Sequence, residues 1–344
     1  MKPFILIVVV VLTACTPRGH FAYAPPVEGA EVRDLWVARY RMEGPFPDRQ
    51  SPPRPSEVTY EQIRISVPPG HVKGEIQWPD GEPNAGTDFV TLGRGTFDSD
   101  QHFAATVANA DTLGVGETLL FVHGYNTNHA EATYYLAQIA SDFDVPIPTV
   151  LFSWASAGVT AGYLYDRDSA LIARDRLESV IELLGEGDRR DVIVMGHSMG
   201  GYLVMETLRQ MALKGKDVTR LVDALILMSP DIDNELFRAQ TDAIGTLPDP
   251  FVLLVAEQDK ALRLSALLTG RQSRLGSQTD RSAVGDLPIS VIDLSGLGTG
   301  DAGDHRVATT SPEAIALLEA LRANRSLTDA ALSDLIVLGP GGGG

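Results

Sequence analysis

Apolar positions along this chain fall into two alternating spacings. Short continuous runs recur at Thr118-Leu119-Leu120-Phe121-Val122, Pro148-Thr149-Val150-Leu151-Phe152, Asp191-Val192-Ile193-Val194-Met195, Ala224-Leu225-Ile226-Leu227-Met228, Phe251-Val252-Leu253-Leu254-Val255 and Ile289-Ser290-Val291-Ile292-Asp293-Leu294. Each is too short for a helix, and 191–195 is rich in β-branched residues, so each reads as a buried strand. Between them, 130–143, 168–184 and 201–211 space their apolar residues three and four apart, the period of an amphipathic helix. Ser311-Pro312-Glu313 opens a closing helix, with proline in its first turn. Continuous apolar strands separated by helices predict an α/β fold: a mostly parallel sheet with helices on both faces.

The first hundred residues follow a different pattern. The stretch 34–40 reads as a strand, 60–67 alternates as a half-buried strand does, and 89–92 suggests another. A proline-rich loop spans 45–55, and 100–110 reads as a helix with Asp100 as a possible cap. This segment is short of apolar residues for a core of its own, so extra strands on the same sheet are expected. The expected organisation is one domain over 32–325, of which 32–115 supplies N-terminal strands. No internal repeat is visible.

The ends carry a separate signal. Lys2 precedes an apolar run, Phe4 to Leu12, too short to span a bilayer, and the run stops at Leu12-Thr13-Ala14-Cys15. Small residues before a cysteine at that place resemble the lipobox of bacterial lipoproteins. That resemblance implies removal of a signal peptide over 1–14 and acylation of Cys15, including its thiol. Cys15 is the only cysteine, so no intrachain disulfide can form. A plain secretory signal is the alternative. Residues 15–31 then serve as a tether, and 326–344, ending Gly339-Pro340-Gly341-Gly342-Gly343-Gly344, as a flexible tail. The expected place is the cell envelope, bound to a membrane through Cys15. Thr16, rather than an aspartate, follows the cysteine, which by resemblance favours the outer membrane or periplasmic face if the source is Gram-negative. The formal charge of −17 argues against nucleic acid, anionic headgroups or a polyanionic substrate as partners.

The chemistry centres on Gly196-His197-Ser198-Met199-Gly200. A serine between a buried strand and a helix is a nucleophile elbow. The turn is so tight that side chains two positions either side of the serine would clash, hence the glycines. The Met199 N–H lies at the positive end of the following helix, where it can hold an oxyanion. The base should be a histidine. Loops after parallel strands gather at one edge of the sheet, so His305, beyond the last strand, can reach Ser198. Three aspartates can orient that histidine: Asp259 after the Val255 strand, and Asp231 and Asp233 after the Met228 strand. All keep the chain order Ser, Asp, His, so order does not decide among them. Asp259 also reads as the N-cap of a helix from Lys260. His123-Gly124-Tyr125-Asn126 follows the Leu120 strand, and Gly124 permits close backbone approach. There is no Cys/His cluster, no His-Glu-x-x-His and no phosphate-binding Gly-Lys loop, so no metal or organic cofactor is expected.

The elbow, Phe121-Val122-His123-Gly124-Tyr125-Asn126, Phe152-Ser153-Trp154-Ala155-Ser156, Tyr165-Asp166-Arg167-Asp168-Ser169 and Ser229-Pro230-Asp231-Ile232-Asp233 together resemble the α/β-hydrolase superfamily. Within it the chain is similar to a bacterial esterase/lipase-like family of unestablished function, domain of unknown function 900. The resemblance covers about residues 32 to 322. It implies the α/β-hydrolase fold and a serine hydrolase site, with the acid two strands after the nucleophile strand, hence Asp259. It implies an oxyanion hole from the N–H groups of Tyr125 and Met199, with Gly124 in the loop and His123 structural. His197, Trp154 and Tyr165 are possible pocket residues. Trp154 can equally pack under its loop, and Tyr165 and Asp166, placed before a helix, can equally serve structure. Residues 228–250 leave no room for a large lid domain, so a fairly open site for small to medium esters is expected. The leading expectation is a carboxylesterase. The alternatives are an acyltransferase, thioesterase or amidase using the same residues, or a non-catalytic envelope protein on a hydrolase fold.

Overall fold

The structure is a computed structural model. It describes residues 19–41, 54–185, 191–257, 259, 261–262, 265–266, 270, 274–279, 284–297 and 304–323. The expected signal peptide, Cys15, the start of the tether, most of the proline-rich loop, Lys260 and the 326–344 tail lie outside the described residues.

Nine strands form one sheet. They are β1 (Glu31–Tyr40), β2 (Thr59–Val67), β3 (Val90–Thr96), β4 (Glu117–Val122), β5 (Thr149–Trp154), β6 (Asp191–His197), β7 (Val222–Met228), β8 (Phe251–Val255) and β9 (Ser290–Asp293). Their order is β3-β2-β1-β5-β4-β6-β7-β8-β9. The pairs β1–β2 and β2–β3 are antiparallel, and every other pair is parallel. Residues 31–96 therefore extend the parallel sheet at one edge.

Strand residues that look uniformly apolar in sequence divide by alternation between two cores. Leu120, Val122, Val150 and Phe152 face one core with helices α1 (Asp100–Asn109), α3 (Tyr163–Gly185), α4 (Met199–Leu213) and α5 (Asn234–Ile244). Phe121 and Leu151 face the other, with α2 (His129–Asp142) and the closing helices Val307–Thr310 and Pro312–Ala323. This is the α/β-hydrolase fold. Among the described residues the connection from β7 to β8 contains α5 and no inserted lid domain. No helix among them is long and apolar enough to cross a membrane.

Helix α1 is capped by Ser99, whose hydroxyl accepts from the His102 N–H, rather than by Asp100, which lies in its first turn; two boundaries also differ from the sequence pattern. Helix α3 begins at Tyr163, five residues before Asp168, so Tyr165 and Asp166 lie in its first turn rather than on a preceding loop. Strand β3 continues through Gly93-Arg94-Gly95 to Thr96 because Arg94 reaches across to Glu61 on β2, at 2.6 Å.

Candidate active site

Ser198 sits at φ 55°, ψ −123°, between the end of β6 and the start of α4. That positive φ is strained for serine and is held from both sides. The Ser198 N–H donates to the Met228 carbonyl (2.9 Å), and the Ser198 carbonyl accepts from the Asp231 N–H (3.2 Å). The flanking glycines are steric necessities. A Cβ on Gly200 would lie 2.2 Å from the Val122 carbonyl oxygen, and one on Gly196 would lie 2.8 Å from Gly201 Cα. Ser198 is only 3% exposed.

His305 and Asp259 are brought together. His305 Nδ1–H donates to Asp259 Oδ2 at 2.7 Å, with the Asp259 side chain fully buried. Asp259 Oδ1 accepts from the N–H groups of Ala261 and Leu262, both at 3.0 Å. The capping and histidine-holding readings of Asp259 thus coexist, one on each oxygen. The other two aspartates are engaged elsewhere. Asp231 is buried; it accepts from Tyr163 OH (2.8 Å) and Ser265 Oγ (2.5 Å) and faces Arg274 Nε at 3.3 Å. Asp233 caps α5 through Glu235 N (3.1 Å) and Leu236 N (3.3 Å).

His305 is tied to the elbow through His197. The two rings lie 4.8 Å apart, and His197 Nε2–H donates to the His305 carbonyl at 3.1 Å. His197 packs edge-on against Tyr135 as well. Burial, then the neighbouring His305, hold its pKa well below the ordinary histidine value, so it stays neutral. His197, a possible pocket residue by sequence, is buried and clamps the backbone of His305. No hydrogen bond joins Ser198 Oγ to His305. Such contacts commonly tighten only when substrate is bound.

The loop after β4 abuts the serine. A Cβ on Gly124 would be 3.0 Å from Ser198 Cβ and 3.0 Å from His197 Nδ1, so only glycine fits without displacing the elbow. His123 Nδ1–H donates to the Gly124 carbonyl at 2.9 Å. Burial, then Arg41, push the pKa of His123 down to about 3, so its role is structural. Trp154, offered as a possible pocket residue, lies fully buried under this loop. It stacks on His123 (5.2 Å, 7°) and donates Nε1–H to the His123 carbonyl at 2.7 Å. Tyr165, the third pocket candidate, packs on α3 beneath the Arg54 guanidinium, 4.3 Å from its ring centre. The Tyr125 side chain turns toward α3, with its hydroxyl on the Thr160 carbonyl and its ring edge-on to Tyr163. Among the described residues neither the Tyr125 N–H nor the Met199 N–H has a hydrogen-bond acceptor. The first belongs to the loop against Ser198; the second is a free donor of the first helical turn. No group of three His, Cys, Asp or Glu among the described residues could hold a metal ion.

A family described as "Alpha/beta hydrolase of unknown function (DUF900)" matches residues 99–325. The chain belongs to this family. No curated protein matches the hydrolase. Among solved structures, an esterase from Pyrobaculum calidifontis is 13% identical, with 88% of each chain covered and a TM-score of 0.36. Carboxyl esterase 2 from Tuber melanosporum is 12% identical over 89% of each chain, with a TM-score of 0.43. A dienelactone hydrolase from Anabaena variabilis is 12% identical over 77% of this chain and 89% of its own, with a TM-score of 0.38. Likenesses this distant say nothing of what the present hydrolase acts on.

Proposed function

We propose that this chain is a serine carboxylesterase acting through an acyl-enzyme. The observation that carries the reading is the convergence of a strained serine at an elbow, a histidine bonded to a buried carboxylate at 2.7 Å, and two unpaired backbone donors beside that serine. Ser198 Oγ attacks the ester carbonyl, and its proton passes to His305 Nε2. Asp259 accepts from Nδ1–H, fixes the tautomer and stabilises the imidazolium. The Tyr125 and Met199 N–H groups receive the developing oxyanion. His305 Nε2–H then protonates the departing alcohol. Water, deprotonated by the same nitrogen, attacks the acyl-serine and releases the acid.

In this reading, acylated Cys15 holds the hydrolase on a membrane of the cell envelope. Its two or more acyl chains contribute about 0.8 kcal/mol for each buried methylene, enough for firm anchoring. The substrates are small to medium esters. No metal or organic cofactor enters the steps.

Hydrolysis of p-nitrophenyl esters from acetate to palmitate by the full chain in detergent tests the proposal. Turnover should fall by up to ~10⁶ in Ser198→Ala, and the optimum chain length should size the acyl pocket. Equal turnover in the variant would remove Ser198 as nucleophile.

A further inference from the structure

Asp166 belongs to a motif whose part in the site is not evident from sequence. It lies in the first turn of α3, has no exposed surface, and makes no hydrogen bond to Ser198, His305 or Asp259. Its Oδ2 accepts from the Asn126 N–H (3.1 Å) and from Ser156 Oγ (2.7 Å); its Oδ1 accepts from the Ala157 N–H (2.6 Å). We propose that Asp166 is the positioning residue of the oxyanion loop, fixing the backbone around Tyr125 so that its N–H is left for the oxyanion beside Ser198. This inference rests on the serine hydrolase reading above.

The accounting of the loop's donors supports it. The Asn126 N–H is taken by Asp166. The Thr127 N–H is taken by Ser156 Oγ (3.1 Å), whose own proton goes to Asp166. The Asn128 N–H is taken by Glu131 (2.9 Å). The Tyr125 carbonyl accepts from Thr127 Oγ1 (3.1 Å). Arg41 ties the Thr127 carbonyl (3.0 Å) to the Ser156 carbonyl (3.2 Å). Of the four N–H groups from 125 to 128, Tyr125's is the one without an acceptor among the described residues. It is also the one next to Gly124, where an added Cβ would come within 3.0 Å of Ser198 Cβ.

The loop does not hold this shape by local preference. Asn126 lies at φ 55°, a conformation that costs a non-glycine residue free energy and needs an outside constraint. Asp166 supplies that constraint on the Asn126 N–H. A carboxylate suits the position because all three partners donate to it, and an ionised carboxylate only accepts. Burial pushes its pKa up, while the bonds from Ala157, Ser156 and Asn126 act to keep it charged. An isosteric amide does not suit. Whichever way it is turned, its NH₂ group faces a backbone N–H, Asn126's or Ala157's.

The test compares the full chain in detergent with its Asp166→Asn and Ser156→Ala variants. Ser198→Ala serves as the blank. Glu178→Gln serves as a stability control, since Glu178 ties α3 to Lys214 and Lys216 at the far end of that helix. The readouts are kcat and KM on p-nitrophenyl butyrate, inhibition by phenylboronic acid, and Tm. The boronate adds to the serine and mimics the tetrahedral anion. Deleting an oxyanion donor outright costs ~10² to 10³, so displacing one by Asp166→Asn should lower kcat by roughly 10- to 100-fold. KM should change little, and boronate affinity should fall in step with kcat. Ser156→Ala should act in the same direction, less strongly, and decides the matter if Asp166→Asn does not fold. Glu178→Gln should lower Tm and leave kcat unchanged. Ser198-dependent turnover with wild-type kcat and boronate affinity in the loop variants would overturn this proposal alone. A loss of kcat that spares boronate affinity would overturn it too, reducing Asp166 to a structural part. Turnover that survives Ser198→Ala would remove the serine hydrolase reading and this proposal with it.

Discussion

The two carboxylate oxygens of Asp259 have different tasks, and this allows a sharp test at the residue scale. Oδ2 holds His305 Nδ1–H, and Oδ1 caps two backbone N–H groups. In Asp259→Asn, the amide oxygen can still cap while its NH₂ faces Nδ1 and forces the wrong tautomer. The account predicts a fall in kcat of about 10⁴, the size of the effect in a serine-protease triad, with Tm little changed. Asp231→Asn should do the reverse, because Asp231 serves a buried cluster with Tyr163, Ser265 and Arg274. Steady-state kinetics and thermal melts on both variants check the contrast. Sequence order left these aspartates equivalent, since both loops follow the nucleophile strand and precede His305. What separates them is which oxygen meets which donor across 46 residues of chain, and no local pattern encodes that. The role of His197 was hidden for a related reason. A histidine inside an elbow has no sequence sign of the backbone carbonyl it will meet 108 positions away.

Elements built on apolar burial were legible, and elements held by polar burial were not. The continuous apolar runs of β4 to β8 predicted their strands closely, because two-sided burial leaves no polar positions to confuse the pattern. The elbow was equally legible, since its glycines answer a steric demand that holds wherever a strand turns this sharply into a helix. The first turn of α3 was missed. Its buried positions include Asp166, a polar residue whose burial is tolerated only because other segments supply its partners. Trp154 was ambiguous for the same reason. An aromatic residue at a strand end can line a pocket or support a loop, and the donor on its ring goes to the loop.

Across the whole molecule, residues before the family match are tied through α2 to the segment that follows His305. His71 pairs with buried Asp142 at 2.6 Å, and Gly74 donates to the same carboxylate at 2.8 Å. Gln138 joins Asp142 (2.5 Å) to the Thr309 carbonyl (2.6 Å), four residues beyond His305. The charge states of the buried groups give the fold a predictable response to acid. Burial depresses His123 and His197, so each stays neutral when folded and protonates on unfolding; burial lowers His129 too, against the pull of Glu61. A depressed folded pKa contributes stability that is present above the unfolded value and lost as pH falls below it. Loss should therefore begin near pH 6.5, at up to about 1.4 kcal/mol per histidine per pH unit. A second stage should start below the ordinary glutamate value. Glu61 is pushed up by burial but held at about 2 by His129 and Arg94, and Glu178 is likewise held at about 2 against burial by Lys214, Lys216 and Gln210. Three raised groups oppose the trend: Asp166 through burial, Asp223 through burial and then the neighbouring Asp191 and Asp249, and His71, where the bonds to Asp142 and Gln77 outweigh burial. Their contribution is full in acid and fades as pH rises through their folded values. Urea unfolding from pH 8 to pH 3 checks the balance; stability that rises on acidification from pH 6.5 to 5 would contradict it.

The most direct measurement on the central claim is labelling of the full chain with a fluorophosphonate, read by peptide mass spectrometry. The account predicts a single phosphonyl adduct on Ser198, absent in Ser198→Ala and formed far more slowly in His305→Ala. No adduct, an adduct elsewhere, or labelling at an unchanged rate without His305 would contradict it.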